Sequence, residues 1–227
     1  MNGAYQFVRR PNAWKRRLFS PWIAFQPSPL EGEGSKKIHF TFDDGPDAVE
    51  TPQVLDCLEH HGLTATFFLL GKAIAGNEPL IQRIHRNGHT LGNHTFSHPR
   101  FSPWHFRQPA VEIAECQRSI RSGCGILPEV ARPPFGRCTP GFLLAAKRLG
   151  LRVQLWSLDS GDWKCRTATD AERCAEELKR EMKAGDTILF HDNHPWIVPI
   201  LQQILPSLSR LTLESRLGAV LCGAKKP

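Results

Sequence analysis

The chain has 227 residues, 41% of them apolar, which is enough for a sizeable core, and no stretch is long enough to span a bilayer. Its formal charge of +7 is concentrated at the N-terminus, where Arg9, Arg10, Lys15, Arg16 and Arg17 all precede the first acid, Glu31. The remainder is near charge balance, which argues against a basic, nucleic-acid-binding body.

Residues 1–36 read as a basic extension and linker that ends in Gly32-Glu33-Gly34-Ser35. Contact of this arm with an anionic membrane surface is one reading, and a solvated leader is the simpler expectation. The apolar patch from Leu18 to Phe25 is broken by Pro21 and followed by Gln26-Pro27, a poor match to an export signal despite Arg16-Arg17. Seven cysteines, an odd number with no Cys-x-x-Cys spacing, argue against a disulfide framework. A reducing, cytoplasmic location is therefore expected.

From residue 37 the pattern alternates strand and helix. Ile38 to Phe42 is an apolar strand that runs into Asp43-Asp44 and is stopped by Gly45-Pro46. Pro52 opens a helix with Val54, Leu55 and Leu58 on one face and Gly62 as its stop. A strand at 65–70, a helix at 79–87 and a strand at 90–94 follow, then a loop after His98. A helix at 109–122, a short strand at 130–132 and a helix at 140–149 come next. A strand over 151–158 precedes the capping-box signature Thr169-x-x-Glu172, which starts a helix to about Lys183. A strand at 187–190, a helix at 196–208, a last strand at 217–222 and a tail at 223–227 complete the chain.

Repeated strand–helix units with continuous apolar strands predict a parallel sheet of about seven strands covered by helices. Periodicity leaves an open doubly wound sheet and a closed barrel both available. No Gly-x-Gly-x-x-Gly follows the first strand, so the dinucleotide-binding version lacks support.

In either architecture reactive side chains belong at the carboxyl ends of strands. Asp43 and Asp44 end the first strand, and His94 and His98 follow the third. Arg132, Asp159 and His191 end the fourth, fifth and sixth. Successive side chains at a strand end point to opposite sides, so Asp43 and Asp44 should do different jobs. A helical turn would place His94 and His98 on one face. Two imidazoles with Asp44 make a common open metal set. The plain reading of the same residues is a helix-capping turn and two histidines in core or on surface.

Five motifs occur in order: Thr41-Phe42-Asp43-Asp44-Gly45-Pro46, Asn93-His94-Thr95-Phe96-Ser97-His98, Arg132-Pro133-Pro134-Phe135-Gly136, Asp159-Ser160-Gly161-Asp162-Trp163 and Leu189-Phe190-His191. Together they resemble those of the polysaccharide deacetylases, the metal-dependent carbohydrate esterases of family four. The resemblance covers 37–222 as one catalytic domain. It implies a distorted (β/α) barrel of about seven parallel strands and removal of acetyl groups, N-linked first, from a carbohydrate polymer, oligomer or glycoconjugate. It implies one divalent cation, with zinc expected and cobalt or nickel also suited, held by Asp44, His94 and His98. Asp43 matches the general base, Arg132 the group that holds it, His191 the general acid and Asp159 the carboxylate that orients it. Trp163 and Leu189 match the walls that receive the acetyl methyl, and the Phe135 N–H matches an oxyanion donor. Phe135 stands where many members carry tyrosine.

Three other functions were weighed: an amidohydrolase of the same superfamily acting on a small non-carbohydrate amide, a non-catalytic carbohydrate-binding descendant, and a membrane-surface adaptor. The intact Asp43, Arg132 and His191 set favours the deacetylase. Of the remaining polar residues, Asp47 is expected to cap a turn and His39 to pack on the first strand. His60 and His61 are expected at a helix end, and His85 and His89 at a helix surface and a turn. Asp192 and His194 follow His191 closely and are candidates to support it.

Overall fold

A computed structural model describes residues 6–10, 23–24 and 38–208. In chain order the strands are β1 (Ile23–Ala24), β2 (His39–Asp43), β3 (Ala65–Leu69), β4 (Thr90–Asn93), β5 (Val130–Ala131), β6 (Arg152–Gln154), β7 (Leu158–Asp159) and β8 (Thr187–His191). They form one sheet in the order β1-β6-β5-β4-β3-β2-β8-β7, and every pairing is parallel. The sheet curls into a distorted (β/α) barrel whose edge strands, β1 and β7, are not hydrogen-bonded to each other. The helices are α1 (Glu50–His60), α2 (Glu78–Arg86), α3 (Arg107–Cys124), α4 (Pro140–Arg148), α5 (Ala168–Glu181) and α6 (197–208).

Strand alternation sorts this chain into lumen and core. On β2, Phe40 and Phe42 pack outward, stacked with Phe190 of β8 and Phe67 of β3, in the main buried cluster beneath the helices. Thr41 and Asp43 therefore face the other way, into the barrel. The register pairs Thr41 with Leu189 and Asp43 with His191, so those side chains share that inner face. The inner face also takes Phe68, which lies so close to Gly92 that a Cβ there would meet the ring at 2.5 Å. Only glycine at 92 lets the aromatic ring fill the lumen under the site.

Several expectations are corrected. The expected sheet of about seven parallel strands is joined at one edge by the two-residue β1, which lies in the region read as linker. Residues 7 and 8 are not solvated: Phe7 and Val8 are 2% and 1% exposed and belong to the main core. Arg10 is ion-paired to Asp186. The capping box of α5 is Thr167 with Asp170, two residues before the expected pair, because Thr167 holds the extended conformation that an N-cap needs. His89 sits at a turn as expected but is buried, its Nδ1 accepting the Ala65 N–H at 3.1 Å. Asp47 caps α1 by accepting the Val49 and Glu50 N–H groups, each at 2.8 Å. The expected strand at 217–222, the tail, and Lys15, Arg16 and Arg17 lie outside the described residues. The six cysteines among the described residues are free thiols. Among the described residues, no helix is long and apolar enough to cross a membrane.

Candidate active site

The site is built at the carboxyl ends of the inner strands, where the sequence placed it. Asp44, His94 and His98 each offer one ligand atom, and these atoms lie within 4.8 Å of one another. Asp44 Oδ1 is 3.6 Å from His94 Nε2 and 3.5 Å from His98 Nε2. The two histidines are not on a helical turn, as their spacing had suggested. They flank an irregular loop in which Thr95 and His98 have φ of 72° and 61°, and Asp44 itself has φ of 74°. Non-glycine residues in the left-handed region are costly and cluster where geometry serves function.

The loop is held from outside the barrel. Glu112 of α3 accepts the Phe96 N–H at 3.0 Å, the Ser97 N–H at 2.8 Å and the Ser97 hydroxyl at 2.7 Å. Asn93 accepts the Thr95 N–H at 2.9 Å while its amide donates to the Ile113 carbonyl at 2.9 Å.

These residues fit a divalent cation. Asp44 Oδ1 is buried and has no hydrogen-bond partner among the described residues, an expensive state for a carboxylate oxygen unless a cation takes it. His94 Nδ1 lies 2.8 Å from the Arg132 carbonyl, so that nitrogen donates and Nε2 carries the lone pair that points at Asp44. Burial drives the His94 pKa down to about 3, and neighbouring charges leave it there, so its imidazole is neutral and able to ligate.

Asp43 lies beside this trio without joining it. Its Oδ1 accepts from Arg132 Nη1 at 2.8 Å, and its Oδ2 is 3.6 Å from His94 Nε2. Burial raises the Asp43 pKa, and the charge of Arg132 opposes that rise. Arg132 is wholly buried: it also donates to Thr41 Oγ1 at 2.8 Å, to the Gln154 carbonyl at 3.0 Å and to the Leu155 carbonyl at 3.3 Å, and it lies 4.0 Å over the Phe68 ring. Cutting Arg132 to methionine would strand the Asp43 carboxylate in this dry setting. Truncating one partner of a buried pair costs about 3–5 kcal/mol, so R132M should unfold at clearly lower urea than wild type. A midpoint unchanged from wild type would show that Asp43 tolerates solitude.

His191 is paired, but not with Asp159. Its Nδ1 is 2.9 Å from Asp162 Oδ1, and its backbone N–H donates to Asp162 Oδ2 at 2.7 Å. Asp159 Oδ1 instead accepts the Gly161 N–H at 2.9 Å and turns the loop locally. The reason is the turn itself: Gly161, at φ of 70°, reverses the chain so that the fourth residue of the motif reaches His191. Ser160 also donates to Asp162 Oδ1, at 2.9 Å. Burial disfavours the His191 imidazolium, but the charge and hydrogen bond of Asp162, with Asp43 and Asp44 adding, hold its pKa up at about 10. The site thus presents a charged imidazole and a carboxylate on cross-strand neighbours.

Phe135 and Trp163 are both 47% exposed, whereas Leu189 is buried between Thr41 and Asp159 in the sheet. Phe135, at φ of 57°, sets its ring edge-on to His98 at 4.5 Å between centroids. Asp192, adjacent to His191, is buried and accepts the Thr51 hydroxyl at 2.6 Å. A Cβ at residue 45 would fall 2.3 Å from Asp192 Oδ2, so glycine there serves close packing as well as the turn. Asp162 and Glu112 are supporting residues that pattern reading missed, whereas sequence alone marks Asp192 as a neighbour of His191. Of the two, only Asp162 carried a signal, as the second aspartate of its own motif.

Comparison with known proteins identifies the family. Residues 31–154 match the family model described as polysaccharide deacetylase. A chitooligosaccharide deacetylase from a Bradyrhizobium species is 35% identical over 178 residues, covering 78% of this chain and 80% of that protein. The peptidoglycan-N-acetylglucosamine deacetylase PgdA of Listeria monocytogenes is 32% identical over 80% of this chain, which spans only 38% of that longer protein. Among solved structures, the Bc1960 peptidoglycan N-acetylglucosamine deacetylase superposes with a TM-score of 0.77 at 29% identity, covering 87% of this chain and 92% of that one. A family 4 carbohydrate esterase from Streptomyces lividans, in complex with acetate, gives 0.69 at 28% identity, covering 76% and 88%.

Proposed function

Because the chain belongs to the polysaccharide deacetylase family, we propose that it is a metal-dependent hydrolase that removes N-linked acetyl groups from an amino-sugar glycan. The observation that carries this reading is the cross-strand pairing of Asp43 with His191 beside the Asp44, His94 and His98 trio. It supplies a base, an acid and a metal site on one inner face.

Asp44, His94 and His98 would hold the cation, with zinc the expected ion and cobalt or nickel accommodated by the same donors. Such an ion, when bound, supplies Lewis acidity to the acetyl carbonyl and to water. The chain's own residues do the rest. Asp43, fixed by Arg132, takes the proton from the attacking water. The Phe135 N–H donates to the carbonyl oxygen as negative charge builds on it. His191, its Nδ1 engaged by Asp162, donates from Nε2 to the leaving nitrogen. Leu189 and Trp163 receive the methyl group.

The test is acetate release from chitin oligomers, acetylated peptidoglycan and acetylated xylan, beside hydrolysis of small acyclic and cyclic amides, with and without a chelator. Chelator-sensitive release from an amino-sugar polymer is expected. Release confined to xylan would move the reading to O-deacetylation. Release only from small acyclic or cyclic amides would favour the amidohydrolase alternative, and no release from any substrate with metal bound would sink the esterase reading. His94→Ala should lose the metal as well as turnover, read by metal content after desalting.

A further inference from the structure

We propose that residues 7–10 are a positioning strap for the proton-donating pair, holding the loop that carries Asp162 at the geometry His191 needs. The inference rests on the acid role proposed above for His191.

The strap grips that loop along its length. Arg9 and Asp159 form an antiparallel bridge, with the Arg9 N–H donating to the Asp159 carbonyl at 3.0 Å and the Asp159 N–H returning to the Arg9 carbonyl at 2.8 Å. This bridge also covers the free edge of β7. The Phe7 carbonyl lies directly on Gly161, where a Cβ would sit 2.3 Å from it. The same carbonyl accepts from Lys164 Nζ at 2.9 Å. Asp162 thus lies between Gly161 and Lys164, two points that the strap holds.

The strap is itself anchored elsewhere. Glu177 of α5 accepts the Phe7 and Val8 N–H groups at 2.8 and 3.1 Å. Both side chains enter the main core. Arg10 donates to both oxygens of Asp186, at 2.9 Å each, and Asp186 also accepts the Ser157 hydroxyl at 2.7 Å, which fixes the start of the loop. The backbone of 157–164 is therefore clamped between the strap and β8. Displacement of a reacting group by about 1 Å can cost about 10²-fold in rate, so a loosened Asp162 should be visible in catalysis.

A purely structural strap and a positioning strap predict different kinetics. Acetamide cleavage needs a proton on its leaving nitrogen, whereas 4-nitrophenolate departs without one. Two variants are compared with wild type: deletion of residues 1–10, and F7A/E177A in the full chain. On the acetylated glycan, kcat should fall by roughly 10-fold or more, while on 4-nitrophenyl acetate it should change by less than about 3-fold. The ratio, measured on protein that still melts cooperatively, is the readout. Equal loss on both substrates, or an unchanged ratio, overturns the inference. Should the deletion fail to fold, F7A/E177A decides alone. If wild type cleaves the nitrophenyl ester but no glycan, the glycan reading falls, and the strap is then scored on ethyl acetate against 4-nitrophenyl acetate.

Discussion

Asp43→Asn should lose about 10²–10⁴-fold in acetate release while keeping its metal. The amide has nearly the shape of the carboxylate, so its oxygen can still accept from Arg132 at the position where Asp43 Oδ1 now accepts at 2.8 Å. It cannot take a proton from water. The trio of Asp44, His94 and His98 does not include Asp43, so metal content should stay at the wild-type ratio. Arg132 would lose its counter-charge but retain Thr41, the Gln154 carbonyl and the Phe68 face, so a lower melting temperature with a cooperative transition is expected. The measurement is kcat beside metal stoichiometry on the same preparation. Near-normal turnover with metal bound would show that some other group removes the proton. Loss of metal together with turnover would show that Asp43 is a ligand.

The strand ends were legible because the physics that builds them is local. An apolar run stopped by Gly45-Pro46 puts Asp43 and Asp44 at a carboxyl edge, whatever the rest of the chain does. Alternation faces Asp43 into the barrel against Arg132, and Asp44, beyond the end of β2 with φ of 74°, is turned to the two histidines by the bend. Contacts that depend on turn geometry or distant segments were not legible. Nothing in the spacing of His94 and His98 distinguishes one turn of helix from a loop with two residues in the left-handed region. Glu112 reaches that loop from a helix whose start follows a long irregular segment, so no fixed offset reveals it. The strap at 7–10 was hidden by charge: basic neighbours made the arm read as solvated, although Phe7 and Val8 carry an apolar signal of only two residues. Its partners, Glu177 and Asp186, lie more than 160 positions away.

The Asp159 and Asp162 assignment shows the same limit at the scale of one motif. Both aspartates lie near a strand end, and strand position alone favours Asp159. The turn at Gly161 brings Asp162 to His191 instead. Asp162→Asn should therefore cut glycan turnover by about 10²–10⁴-fold, the scale set when a histidine loses the carboxylate that orients it. Asp159→Asn should cost far less, because the amide oxygen can still accept the Gly161 N–H and residue 159 makes no hydrogen bond to the imidazole. The pH profile separates a charge effect from misfolding. Asp162 is the largest influence favouring the His191 imidazolium, against burial, and together with Asp43 and Asp44 it holds that group protonated to about pH 10. The acid form of His191 is the active one, so activity falls as pH rises through its pKa. Removing the Asp162 charge lowers that pKa and must move the alkaline limb of kcat downward, whereas Asp159→Asn should leave the limb nearly in place. If Asp159→Asn instead shifted the limb and Asp162→Asn did not, the proton donor would be oriented by the residue that strand position favours, and the contact at 2.9 Å would be structural only.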